Sequence, residues 1–119
     1  IEFGAHTIHH EILSRLDRDE KRREIAESTA VLRRHVRAPV TTFAYPFGRP
    51  WDFDEECFEL LREEGYDCAC AAIDGTNDPG TDRWQLRRLP LNDDIPLADV
   101  LAEIDGTLPL FRRLFRVRI

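Results

Sequence analysis

The run Cys68-Ala69-Cys70-Ala71-Ala72-Ile73 constrains this chain more than any other stretch. It is short, free of turn residues and apolar at successive positions. A strand apolar on both faces belongs inside a parallel sheet covered by helices. The segments around it alternate in the same sense. Asp17 with Glu20 three residues later reads as a capping box, and Ile25, Ser28, Leu32 and Val36 follow at helical spacing amid dense charge. Ala38-Pro39 ends that helix, and residues 40–45 read as a strand by β-branched and aromatic content. A second helix is expected from the acidic start at Asp52 and Asp54, taken as caps, through Cys57, Leu60 and Leu61 to Gly65. Residues 66–73 form the next strand, 74–82 a loop and 86–91 another strand. Pro96 then opens a helix whose stripe is Leu97, Val100, Leu101 and Ile104, ending at Gly106. Ile1-Glu2-Phe3 reads as an apolar strand at the start. The succession predicts an α/β fold with a mainly parallel sheet.

Size and composition narrow the possibilities. At 119 residues the chain falls short of a complete barrel enzyme, which takes about 200 or more, and it contains no methionine. It is expected to be the C-terminal portion of a longer protein. A charged fraction of 34% with net charge −6 excludes a general nucleic-acid binder, whose phosphate contacts need a basic surface. No stretch approaches the roughly 20 apolar residues of a membrane span. Cys57, Cys68 and Cys70 are odd in number without a CxxC pair, so they are read as small buried hydrophobes rather than a disulfide framework or zinc ribbon. Alternation puts the Cys68 and Cys70 thiols on one face. The charged face of the first helix, from Arg18 to Arg23 and at Arg33 and Arg34, is expected to be solvated surface, with His35 structural at its end. Residues 108–119 interleave Leu110, Phe111, Leu114 and Phe115 with Arg112, Arg113, Arg116 and Arg118. This basic amphipathic segment is expected to pack against the part of the domain missing from this chain rather than to lie on an anionic membrane.

The chemistry-bearing stretch is Gly4-Ala5-His6-Thr7-Ile8-His9-His10-Glu11-Ile12-Leu13, which holds three of the 4 histidines. His6 and His10 are four apart, so in a coiled segment both rings lie on one side and His9 points elsewhere. Imidazole nitrogen suits a divalent cation, zinc above others, and two histidines leave room for a carboxylate and a water. A solvated loop that contains histidines is the alternative. At Pro46-Phe47-Gly48 the missing donor of proline and the freedom of glycine allow a sharp turn that presents the Phe47 amide outward. Taken alone, this stretch reads equally as a turn with aromatic core residues. Trp51 either packs in the core or offers a stacking platform to a sugar ring.

The histidine stretch resembles the second motif of the polysaccharide deacetylases (NodB homology, carbohydrate esterase family 4), G-S-H-T-x-x-H-P-x-L. Gly4, His6, Thr7, His10 and Leu13 match, Ala5 replaces Ser, and Glu11 stands where Pro is usual. The turn resembles the third motif in its F-A-Y-P-Y-G form through Phe43, Ala44, Tyr45, Pro46 and Gly48. Phe47 replaces the second Tyr, and Ala44 occupies a position where many relatives carry Arg. The loop from Gly75 to Asp82 and the following Leu86-Arg87-Arg88-Leu89-Pro90 also look like the family downstream of that motif.

The resemblance implies a distorted (β/α) barrel, with residues 1–106 a partial deacetylase domain and 107–119 a tail. It implies metal-dependent removal of N-acetyl groups from an N-acetylhexosamine polysaccharide. His6 and His10 would hold the metal, the Phe47 amide in the Tyr45-Pro46-Phe47 turn would stabilise the oxyanion, and Trp51 and Gly48 would lie against the substrate. The family's first-motif Asp pair has no counterpart before His6. No histidine follows His35 to serve as the general acid of a late motif. The 119-residue piece alone is therefore expected to be inactive. Rival readings are a carbohydrate-binding or structural barrel domain without chemistry, and a metal-dependent amidohydrolase of small molecules. The glycan, the number of subunits and the localisation are not written in these residues.

Overall fold

The computed structural model describes residues 1–115. Arg116 and Arg118 of the basic tail lie outside the described residues. A 3-10 turn, Leu13–Arg15, leads into α1 (Arg18–His35), followed by β1 (Thr42–Ala44), α2 (Glu55–Glu64), β2 (Cys68–Asp74), β3 (Leu86–Arg88), α3 (Leu97–Ile104) and α4 (Thr107–Phe115). The strands form one parallel sheet in the order β1-β2-β3. Thr42 pairs with Cys68 and Ala44 with Cys70, so the C-terminal ends of β1 and β2 open toward the same side.

Local rules account for most boundaries. Asp17 accepts from the Glu20 N–H while the Glu20 side chain accepts from the Asp17 N–H, the reciprocal capping box that starts α1. Asp54 caps α2 by accepting from the Cys57 N–H, and Gly65, left-handed at φ 93°, stops it. The core is built from Leu13 and Ile25, from Val40, Phe43 and Tyr45 around β1, from Leu60 and Leu61 of α2, and from Ala69 and Ala71 of β2.

Several expectations are corrected. Ile1 and Phe3 are exposed and form no strand; only Ala5 bridges to Phe43, with its N–H donating to the Thr42 carbonyl at 2.9 Å. The β2 run is covered on one face only. Ala69 and Ala71 are fully buried, whereas Cys68 and Cys70 are half-buried and Ala72 is exposed, because no described helix packs over that side. The strand expected over 86–91 ends at Arg88. The stripe of α3 is present, but α3 packs chiefly on α4, leaving Leu97, Leu101, Ile104 and Leu110 exposed. Among the described residues no helix is long and apolar enough to cross a membrane.

The charged face of α1 is not plain solvated surface either. It docks on the acidic start of α2. Lys21, with a side chain 5% exposed, reaches Asp54 and Glu56, both at 2.8 Å, while Arg18 and Arg22 meet Glu56, Glu59 and Glu63. Burial raises the Asp54 carboxyl, but its hydrogen bonds from Lys21 and Cys57 outweigh that and hold it below the ordinary range. The Lys21 hydrogen bond holds Glu56 low as well. Depressed folded-state values mean that this contribution is complete above the ordinary carboxylate range and is lost as pH falls through it. Asp54→Asn keeps a capping oxygen and removes the charge. Its melting temperature should therefore fall less steeply than wild type between about pH 5 and pH 2. Parallel acid limbs in the two melting profiles would show that the Lys21 cluster contributes nothing there.

Candidate active site

Both sequence motifs leave the sheet at the same end. After Ala5, whose carbonyl accepts from the Ala44 N–H at 2.9 Å, the chain turns through Thr7 at φ 63° and His10 at φ 59°. A left-handed conformation is rare for a non-glycine residue and an outlier for a β-branched one, costing about 1–3 kcal/mol each. The Thr7 hydroxyl accepts from the His10 N–H at 3.0 Å and closes this turn.

The outcome is that the His6 and His10 rings meet edge to face, their centroids 4.9 Å apart. The segment is not helical; the two positive φ values, rather than helical spacing, bring the rings together. The His6 Nδ1–H donates to the Ala44 carbonyl at 2.7 Å, which leaves Nε2 with its lone pair facing outward, the tautomer that a metal ligand needs. Ala44 thus serves the site through its backbone. His9 points away, as expected of it, donating from Nδ1 to Glu24 at 2.6 Å.

The turn after β1 lies against this pair. The Phe47 ring packs edge-on against His10 at 4.9 Å. Phe47 sits at φ 60° and Gly48 at φ 75°, and the Gly48 N–H donates to the Pro46 carbonyl at 2.6 Å. The Phe47 N–H donates to no group among the described residues. Gly48 is tied to β2 by the Ala72 N–H at 2.7 Å. A Cβ there would stand 2.7 Å from the Ala72 nitrogen, so only glycine fits without a shift.

The Tyr45 phenol lies away from the histidine pair. It is buried, stacks on Phe53 at 4.2 Å and donates to the Trp84 carbonyl at 2.7 Å, and burial pushes its hydroxyl far above the usual range. Pro46 is buried beside it. Trp51, by contrast, is 67% exposed, which removes the core alternative. The Arg49 guanidinium lies 5.3 Å from its ring centroid. Asp52 is not a helix cap. Fully buried, it accepts from the Arg49 N–H and Nε–H, both at 2.9 Å, and these bonds hold its carboxyl below the ordinary range. The Ser14 hydroxyl donates to the Trp51 carbonyl at 2.7 Å and the Ser14 N–H to the Asp52 carbonyl at 3.1 Å. These bonds fasten the Trp51 turn to the chain just beyond the histidines.

Glu24 was missed by sequence reasoning. Its side chain is 10% exposed and accepts from the Ile8 and His9 N–H groups at 3.0 and 2.9 Å. Burial raises its carboxyl, yet the bonds from His9 and Ile8 outweigh that and leave it below the ordinary range. His9 is raised in turn, first by its hydrogen bond to Glu24. A glutamate on the apolar side of α1, directly before Ile25, was the available signal.

Two imidazoles with one fixed tautomer fit a divalent cation as part of a ligand set. Among the described residues no group of three His, Cys, Asp or Glu side chains converges to complete it. A separate cavity of about 910 Å³, lined by Arg87, Leu89, Val100 and Arg112, contains none of these residues.

Comparison with known proteins accords with the geometry. A solved structure of the Streptococcus pyogenes deacetylase PplD in complex with acetate superposes with a TM-score of 0.76 at 18% identity, covering 82% of this chain and 42% of that one. IcaB from Ammonifex degensii superposes with a TM-score of 0.57 at 26% identity, covering 72% of this chain and 36% of that one. This chain therefore spans about two-fifths of the length of these structures, and its α/β fold with a parallel sheet is that of their (β/α) barrels. No curated protein sequence matches it significantly. The family model for polysaccharide deacetylase matches residues 1–69, which hold the histidine pair, the Phe47 turn and Trp51 alike; the chain belongs to the polysaccharide deacetylase family.

Proposed function

We propose that the protein containing this chain is a metal-dependent hydrolase that removes N-acetyl groups from an N-acetylhexosamine polysaccharide. The observation that carries this reading is the His6–His10 pair, brought together on a strained backbone beside a Phe47 N–H that has no acceptor among the described residues. The acetate held by the structural neighbour PplD supports the same product.

His6 and His10 would hold the cation together with a carboxylate from outside the described residues. A divalent cation, zinc by the preference of imidazole, supplies Lewis-acid polarisation of the acetyl carbonyl and acidification of water when bound. The chain's own groups do the rest. The Ala44 carbonyl fixes the His6 tautomer. The Phe47 N–H donates to the oxygen on which negative charge develops as the acetyl carbon becomes tetrahedral. The exposed Trp51 indole offers an apolar face to a pyranose ring, which favours a polymer over a small amide.

The test is acetate release by the complete gene product from N-acetylglucosamine polymers and from small acetanilides, with and without a chelator. Release from the polymers, abolished by chelation and restored by zinc, is expected. Chelator-resistant release would exclude the metal-dependent reading. Release from the small amides alone would make the protein an amidohydrolase, and no release at all would leave a carbohydrate-binding domain.

A further inference from the structure

Glu24 stands in the middle of α1 and reaches back to the histidine turn. Its Oε2 accepts from two successive backbone amides, Ile8 and His9, and its Oε1 from the His9 ring. Those amides lie between the two left-handed residues, Thr7 and His10. Each positive φ is uphill, so a free segment would relax toward ordinary backbone and carry the His10 ring away from His6. Holding both N–H groups on a single oxygen fixes the orientation of the peptide planes between the strained positions. The helix bearing Glu24 is itself immobilised, by its capping box and by Lys21 one turn earlier on Asp54 and Glu56.

We infer that Glu24 is the positioning residue of the histidine pair, a clamp from α1 that holds His6 and His10 convergent for a divalent cation, an inference that rests on the metal-dependent reading above. Glu24 is not a ligand itself, since its oxygens are engaged by Ile8 and His9. The clamp acts through hydrogen bonds, so an uncharged oxygen in the same place should serve. Glu24→Gln supplies one, Glu24→Asp withdraws the acceptor by a methylene, and Glu24→Ala removes it.

The experiment measures zinc affinity of the complete gene product by competition with a chromophoric chelator, with a melting profile for each variant and His6→Ala as the reference without the pair. Glu24→Gln should bind zinc close to wild type, while Glu24→Asp and Glu24→Ala should lose about 10–100-fold, the usual effect of removing a group that orients a ligand. Should Glu24→Ala fail to fold, Glu24→Asp against Glu24→Gln carries the comparison. A purely structural role would lower the melting temperature and leave the zinc affinity of the folded protein unchanged. Wild-type affinity in Glu24→Asp, or equal loss in Glu24→Gln and Glu24→Ala, would overturn the clamp. Wild type binding zinc no better than His6→Ala would instead remove the metal reading, and the clamp with it.

Discussion

Replacing His6 and His10 together with alanine should lower kcat/KM for acetate release by about 10³-fold or more, because the loss of a metal's contribution is worth several kcal/mol of transition-state stabilisation. In the metal-free protein the same change should scarcely move the melting temperature. Both rings are exposed, and substitutions at such positions usually stay within about 0.5 kcal/mol. The two effects separate because the fold maintains a costly arrangement for groups that contribute little to its stability. Thr7 and His10 are left-handed, their turn is closed by the Thr7 hydroxyl, and what this presents to solvent is a pair of imidazoles. His35→Ala, at the exposed end of α1, is the control and should change neither quantity. Activity retained to within tenfold in the double variant would remove the histidine pair from the chemistry.

The parts legible in the sequence are those governed by near neighbours along the chain. Asp17 and Glu20 cap α1 from three residues apart, and Gly65 ends α2 by a left-handed turn at its own position. The family motifs placed the turn after a strand, where it follows β1, whereas the histidines follow only the single Ala5 bridge. What escaped reading depends on contacts across the fold. Asp52 and Asp54 look alike at a helix start, yet only Asp54 has its carboxylate over the first N–H groups, while Asp52 is turned inward to Arg49. Lys21 reads as surface charge on a polar helix and Glu24 drew no reading of its own, but each reaches a partner contributed by another element. Tyr45 belongs to a functional motif and still places its phenol in the core, because alternation along the chain puts it on the same side as Phe43. The four-residue spacing of His6 and His10 pointed to convergence for a helical reason, and convergence arises instead from two backbone conformations that spacing does not encode.

Gly48→Ala should cause the largest loss of stability, about 2–4 kcal/mol, because it combines left-handed strain with a steric conflict against fixed backbone. The new Cβ would lie 2.7 Å from the Ala72 nitrogen and 3.2 Å from the Tyr45 carbonyl oxygen, neither of which belongs to a side chain that can swing aside. Relieving it means separating the turn from β2, which breaks the Ala72 to Gly48 hydrogen bond and shifts the adjoining Phe47 amide. For a domain of this size the melting temperature should fall by about 10 °C or more. In the folded fraction kcat should fall about 10²–10³-fold, as when one oxyanion donor is displaced. Gly65→Ala isolates the strain. Gly65 is also left-handed, at φ 93°, but the nearest atom its Cβ would meet is the flexible Arg33 guanidinium at 3.9 Å. That variant should lose only about 1 kcal/mol and keep its activity. Thermal melts and initial rates on the two variants decide the matter: if Gly48→Ala behaves like Gly65→Ala in both, the turn is not held against β2 and the Phe47 amide is not a positioned donor.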